Sequence, residues 1–231
     1  MKADQSVAAQ GAVERQPLTT LRRRIAQQMT KSADEAPQLT LHTEVDVTAM
    51  VERREALKES AGITYTDILV RVVADALTRH PRLNANWDGD AIIVHKDVNV
   101  GVAVALEEGL IVPVVRNADE KSLEEISSAV TDVVDRAREG KLAIQDVSGG
   151  TFTVTNLGRS CVDFFTPILN PPQAAILGVG RIVRRPVVVD EEIAIRSTIG
   201  LSLTFDHRVV DGAPAATFLD EITRLLAEAD F

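Results

Sequence analysis

Runs of β-branched residues alternate with amphipathic helical segments along almost the whole chain, and this alternation restricts the fold more than any other feature of the sequence. QLTLHTEVDV sets Leu39, Leu41, Thr43, Val45 and Val47 against polar residues, the period of a half-buried strand. TAMVERREALKES reads as a helix. Tyr65 to His80 predicts a second one, opened by Thr66 and Asp67 and closed by Pro81. IIVHKDVNVGVAVAL and LIVPVV, joined at Glu107-Glu108-Gly109, are expected as neighbouring strands of one sheet. SLEEISSAVTDVVDRAREG is amphipathic and ends on Gly140, a helix terminator. The second half gives strands TFTVTNL, AAILGVG, RIVRRPVVV and AIRSTIGLSLTF, then a helix from Ala213 to Ala229. Between them PILNPPQ, with its three prolines, predicts a stiff loop. A mixed β-sheet with helices on one face, an α/β two-layer sandwich, accommodates this order.

With 231 residues, 45% of them hydrophobic, the chain can bury one large core. Residues 1–16 are small and polar without an apolar period, which reads as a linker, so the folded domain is expected over 17–231. A net charge of −9 provides no concentrated basic surface and 3% aromatic residues provide few stacking platforms, so nucleic acid is not an expected partner. No window approaches the roughly 18 apolar residues of a membrane span. Cys161 is the single cysteine, so an intrachain disulfide or multi-cysteine zinc site is ruled out, and a cytoplasmic location is expected. His42, His80, His95 and His207 lie far apart in the sequence and form no ligand motif, so no metal site is expected.

Two segments carry chemistry. LTTLRRRIAQQMTKSADEA places Leu18, Leu21, Ile25 and Met29 at helical spacing and gathers Arg22, Arg23 and Arg24, either a solvated face or a source of one arginine for a carboxylate or phosphate. In LSLTFDHRVVDGAPAATF, Ile199, Leu201, Leu203 and Phe205 share one strand face, with His207 the next position inward. Asp211 follows four residues later beside Gly212, where glycine permits a sharp turn and a close approach to a ligand. On spacing alone, a His and an Asp satisfying each other at a strand-to-helix corner is as good a reading as a catalytic pair.

The wider wording separates the two readings. DHRVVDG followed by a helix resembles the active-site signature of the dihydrolipoamide acyltransferases of 2-oxoacid dehydrogenase complexes and of the related chloramphenicol acetyltransferases. LRRRIAQQMTKS resembles that family's opening helix, YTDILVRVVADAL its central helix, and GLIVPVVRNADEKSLEEI its strand-loop-helix segment. GGTFTVTNLG and FTPILNPPQAAILGVGRI are similar to the segments before the active-site strand, so the likeness runs in family order from Pro17 to Leu226.

The resemblance implies a chloramphenicol acetyltransferase-like fold and an acyltransferase moving an acyl group between dihydrolipoamide and coenzyme A. It assigns His207 as general base and Thr155 as the hydroxyl that stabilises the oxyanion, where many members carry serine. Asp211 would brace the catalytic loop through an arginine, for which Arg22 stands at the matching place, with Asn156, Asp206, Gly158 and Gly212 shaping the loops. It also implies a homotrimer with each site between two chains, trimers that can build a larger cage, a lipoyl domain that supplies the lipoyl arm, and decarboxylase and dihydrolipoamide dehydrogenase partners. No lipoyl lysine motif precedes Pro17 in this sequence. The motifs are shared by acetyl, succinyl and branched-chain enzymes, with FTPILNPPQAAILGVG leaning to acetyl. Two alternatives remain: an antibiotic O-acetyltransferase of the chloramphenicol type, and an inactive structural core.

The residue types suit the chemistry. A thiol with pKa about 8.5 is only a few per cent ionised near neutrality, so a neutral imidazole can take its proton as it attacks a thioester. A fixed hydroxyl aimed at the resulting oxyanion contributes about 3 kcal/mol. Direct transfer between two thiols needs no protein nucleophile, so Cys161, within RSCVDFF, is expected to be incidental.

Overall fold

The computed structural model describes residues 14–106 and 109–231; most of the expected linker, residues 1–13, lies outside them. Helix α1 (Thr20–Glu35) starts where the Thr19 hydroxyl accepts from the Arg22 backbone N–H, and it leads into strand β1 (Gln38–Asp46). Helix α2 (Thr48–Ala61) precedes α3 (Tyr65–Arg79). The cap of α3 is Thr64, not Thr66: its hydroxyl accepts from Asp67 N–H while the Asp67 carboxylate accepts from Thr64 N–H, a reciprocal pair that satisfies two exposed donors.

Short strands β2 (Ala85–Trp87), β3 (Ile92–Val94), β4 (Val100–Val102), β5 (Val104–Leu106), β6 (Gly109–Ile111) and β7 (Val114–Val115) follow. Helix α4 (Leu123–Arg138) has the same reciprocal cap from Ser122 and Glu125 and stops at Gly140, whose φ of +67° suits glycine. Then come β8 (Phe152–Asn156), β9 (Ala175–Val189), β10 (Glu192–Asp206) and α5 (Gly212–Ala227).

One six-stranded mixed sheet runs in the order β1-β10-β9-β8-β4-β7. β8 pairs parallel to both β9 and β4, and the other neighbours are antiparallel. The two runs expected to flank Glu107-Glu108-Gly109 are divided: β4 and β7 pair in the main sheet, while β5 and β6 form their own two-stranded sheet. AAILGVG and RIVRRPVVV are not two strands but one, β9, which passes through Pro186. Pro186 lies beyond Val179, where the pairing of β9 with β8 ends, so no β8 carbonyl depends on the N–H that proline lacks.

Alternate residues of β10, namely Ile199, Leu201, Leu203 and Phe205, are buried as expected, in one cluster with Val72 and Val73 of α3, Ile126 of α4 and Phe218 and Ile222 of α5. The opposite face of β9 and β10 is covered by a loop. Asp163, Phe164 and Phe165 lie flat over Gly178, Gly180 and Gly200, where a Cβ would collide with the Asp163 carbonyl or the Phe165 ring. Asp163 is held there by Arg181 Nε at 2.6 Å and Arg185 at 2.7 Å, and Arg181 N–H donates to the Val162 carbonyl. Helix α1 stands apart from this core. Its spacing is helical as expected, but Ser32 is its only buried residue, donating to the Leu169 carbonyl, and Leu21 stays exposed.

Candidate functional site

β10 ends at Asp206 because the buried carboxylate of that residue turns the chain. Asp206 is only 4% exposed; it accepts from the Arg208 backbone N–H at 2.9 Å and from the Arg208 guanidinium at 2.6–3.1 Å. Its carbonyl accepts from Val209 and Val210 N–H, and its own N–H donates to the Ala174 carbonyl. This bonding holds the Arg208 guanidinium above its ordinary pKa. Arg208 in turn lies over the Trp87 ring, 5.0 Å from its centroid.

His207 sits on this braced corner, with its backbone N–H donating to the Pro37 carbonyl at 3.0 Å. Strand alternation places it inward. The chain has already turned at Asp206, so the His207 side chain is 44% exposed instead, its ring tilted against Phe205 with centroids 5.8 Å apart. Nδ1 faces the Asp211 carboxylate at 3.7 Å, too long for a hydrogen bond but close enough for a charge contact. Nε2 has no hydrogen bond among the described residues. Asp211 is 84% exposed and stands at the N-cap of α5 without a side-chain cap bond.

Arg22 does not meet Asp211 within the chain. Its guanidinium lies near Gly109, across the face of α1 that touches β6, and among the described residues the only ion-pair contact of Asp211 is with His207. Gly212 is not needed for a sharp turn either: its φ is not left-handed, and a Cβ there would meet open space. Gly158 fits its loop-shaping role, since a Cβ would crowd Asn156 Oδ1, the atom that accepts from Gly158 N–H at 2.7 Å. The amide of Asn156 also reaches Thr66 Oγ1 at 3.5 Å.

Thr155 points away from the helices, because Phe152 and Val154 of the same strand are in the helical core. Thr153, on its side of the strand, donates to Gln173 Oε1 at 2.6 Å, whereas the Thr155 hydroxyl has no hydrogen bond among the described residues. Thr155 pairs with Gly178, and Gly178 with Ser202, five residues before His207. Strand rise and spacing then separate Thr155 from His207 by about 20 Å within one chain.

Cys161 is exposed. His42 bonds Ser202 Oγ at 2.9 Å, and His80 edges the Phe218 ring. Two clefts, of about 450 Å³ beside Arg53 and Arg71 and about 420 Å³ beside Asn84 and His95, do not touch His207. Trp87 and Pro37 belong to no motif in the sequence; the one signal is that Trp87 is the chain's only tryptophan.

The described family "2-oxoacid dehydrogenases acyltransferase (catalytic domain)" has a model that matches residues 10–231. Among curated proteins, the chain is 41% identical over 237 residues to the lipoamide acyltransferase component of the branched-chain alpha-keto acid dehydrogenase complex of Bacillus subtilis, covering 99% of this chain and 56% of that one. It is 42% identical over 219 residues to the dihydrolipoyllysine-residue acetyltransferase component of the pyruvate dehydrogenase complex of the same organism, covering 92% and 50%. The chain thus spans about half the length of these relatives. Among solved structures, a probable dihydrolipoamide acetyltransferase from Listeria monocytogenes superimposes with a TM-score of 0.90 at 40% identity, over 94% of this chain and 95% of that one. The cubic core of a pyruvate dehydrogenase multienzyme complex gives 0.93 at 34% identity, over 97% and 95%. A chloramphenicol acetyltransferase, at 0.59 and 15% identity over 87% and 94%, shares the fold.

Proposed function

Because the chain belongs to the acyltransferase catalytic-domain family of the 2-oxoacid dehydrogenases, we propose that it transfers an acyl group, acetyl by preference, between the thiols of dihydrolipoamide and coenzyme A. The observation that carries the reading is the His207 corner: a half-exposed imidazole on a backbone fixed by a buried carboxylate, with Nδ1 towards Asp211 and Nε2 open.

In the forward step, Nε2 of neutral His207 takes the proton of the attacking thiol, and the thiolate forms a bond to the thioester carbonyl carbon. The carbonyl oxygen becomes an oxyanion, to which a threonine hydroxyl donates. As the intermediate collapses, the bond to the first sulfur breaks and that sulfur recovers the proton from the imidazolium. The Asp211 carboxylate lies 3.7 Å from Nδ1, on the side of the ring away from the reacting nitrogen. No protein nucleophile takes part, which leaves the exposed Cys161 outside the reaction.

His207 and Thr155, whose hydroxyl has no hydrogen bond among the described residues, are too far apart to act together in one chain. The reading therefore places each site between two chains of a homotrimer, with His207 from one and Thr155 from its neighbour, and leaves Arg22 to meet Asp211 only across such an interface. Residues 17–231 make up the catalytic domain in this account, and the homotrimer is its catalytic unit, expected free in solution in preference to a larger cage, because the segment after α5 carries a single aromatic residue, Phe231, beside acidic Glu228 and Asp230. A lipoyl domain presents the lipoyl arm, the decarboxylase and dihydrolipoamide dehydrogenase components supply and reoxidise it, and the compartment is the cytoplasm.

Acetyl, succinyl and branched-chain acyl-coenzyme A offered with dihydrolipoamide to the purified protein test the reading. Thioester formation fastest with acetyl-coenzyme A is the expected result. Absence of transfer with all three overturns it and favours a structural core, and acetylation of a hydroxyl acceptor in place of the thiol favours the antibiotic-type alternative.

A further inference from the structure

Trp87 belongs to β2, outside the main sheet, yet its ring carries the guanidinium that holds the His207 corner. β2 is itself fixed against the start of β9: the Ala85 carbonyl accepts from Ala174 N–H at 2.9 Å, and Asn86 bridges to Gln173. Ala174 also accepts from Asp206 N–H at 2.8 Å. The indole and the buried Asp206 carboxylate thus grip Arg208 from two sides and share one backbone anchor. We propose that Trp87 is a positioning residue for acyl transfer, acting through Arg208 and Asp206 to fix the backbone that presents His207; this rests on the reading of His207 as the base.

The physical argument concerns what Arg208 does without the ring. Arg208 keeps its carboxylate partner, but its side chain, 30% exposed, then has one face open to solvent where the indole now lies. A planar guanidinium that both stacks and forms a forked bond to a carboxylate has little rotational freedom. Released from the stack, it pulls on the Asp206 carboxylate that also accepts the Arg208 N–H, and the turn from His207 to Val210 opens more often. Such opening lowers the fraction of time His207 is correctly aimed, which reduces kcat and leaves thiol binding nearly unchanged.

The test uses the assembled protein with Trp87→Ala, Trp87→Phe and Arg208→Lys. Transfer from acetyl-coenzyme A to dihydrolipoamide is measured alongside amide hydrogen exchange, read by mass spectrometry over residues 207–210. For Trp87→Ala, kcat falls about tenfold with KM within about twofold, and exchange over that segment speeds by about tenfold, the scale of one partly desolvated cation–π contact. Exchange in β8 stays as in the wild type, which separates loosening of the corner from general unfolding. Trp87→Phe restores most of both losses because it keeps an aromatic face, and Arg208→Lys reproduces them because it keeps the charge and loses the planar stack. Unchanged exchange over 207–210 in Trp87→Ala overturns the proposal, as does a rise in KM with kcat intact. A wild-type protein without thiol transfer defeats the transferase reading instead, and the grip on the corner then stands or falls on the exchange result alone.

Discussion

Thr155 stands level with Ser202 in the sheet, with Gly178 between them, and His207 lies five residues beyond Ser202 at the far end of β10. The two side chains with the best claim to the chemistry are held by one rigid sheet at two separate places. Rigidity makes this informative, because β8, β9 and β10 are paired continuously between those places and cannot fold the two groups together. Among the described residues the Thr155 hydroxyl has no hydrogen-bond partner, and in the proposed function it and the His207 imidazole are each half of a site.

His207→Ala is expected to fold normally and to lose about 10²–10⁴ in kcat, since the side chain is half exposed and the corner is held by Asp206 and Arg208 without it. Steady-state rates together with thermal melts check this. A variant retaining more than half of wild-type activity contradicts the mechanism.

Thr155→Ala is expected to cost about 10²–10³ in kcat with little change in KM, because the oxyanion exists only near the transition state. Thr155→Ser should be close to neutral, as it keeps the donor on an otherwise unchanged strand. A rise in KM alone for the alanine variant would instead make Thr155 a binding residue.

Cys161→Ser should leave the transfer rate within about twofold, in keeping with an exposed thiol that the proton transfers do not use. Mass spectrometry after mixing with acetyl-coenzyme A should find no acyl adduct on the protein, and a stable adduct on Cys161 would refute direct transfer.

Asp163 predicts a pH dependence of stability. Hydrogen bonding to Arg181 holds its carboxyl below the ordinary value of 3.8, with Arg185 adding to the effect. The depressed value means that its contribution is fully present above 3.8 and is lost as pH falls through the lower folded-state pKa. Urea midpoints of the wild type and Asp163→Asn should therefore differ at about pH 7 and converge at about pH 3 or lower. An equal difference at both pH values contradicts this role.

The strands that build the site were legible because only one face packs on the apolar helical core, and Ile199, Leu201, Leu203 and Phe205 keep that period of two although Ser202 and Thr204 between them are buried as well. That period could not foresee His207 turning outward, since the cause is a carboxylate at Asp206 accepting from a backbone two residues later. The division into AAILGVG and RIVRRPVVV failed for another reason: only the pairing with β10 shows that one strand runs from Ala175 to Val189 without a break at Gly180. Periodicity identified α1 as amphipathic without saying what covers its apolar side. The family wording singled out His207, Thr155 and Asp211 as candidates, but the brace of Trp87 on Arg208 joins residues 121 positions apart and has no local signature.

The central claim, a site completed by two chains, is tested most directly by mixing two inactive variants. His207→Ala supplies an intact Thr155, and Thr155→Ala supplies an intact His207. Co-expressed in equal amounts and assembled at random in a ring, they should regain about a quarter of wild-type activity, the share of interfaces that receive both intact residues. Activity no greater than the mean of the two parent variants would contradict a shared site and return the chemistry to a single chain.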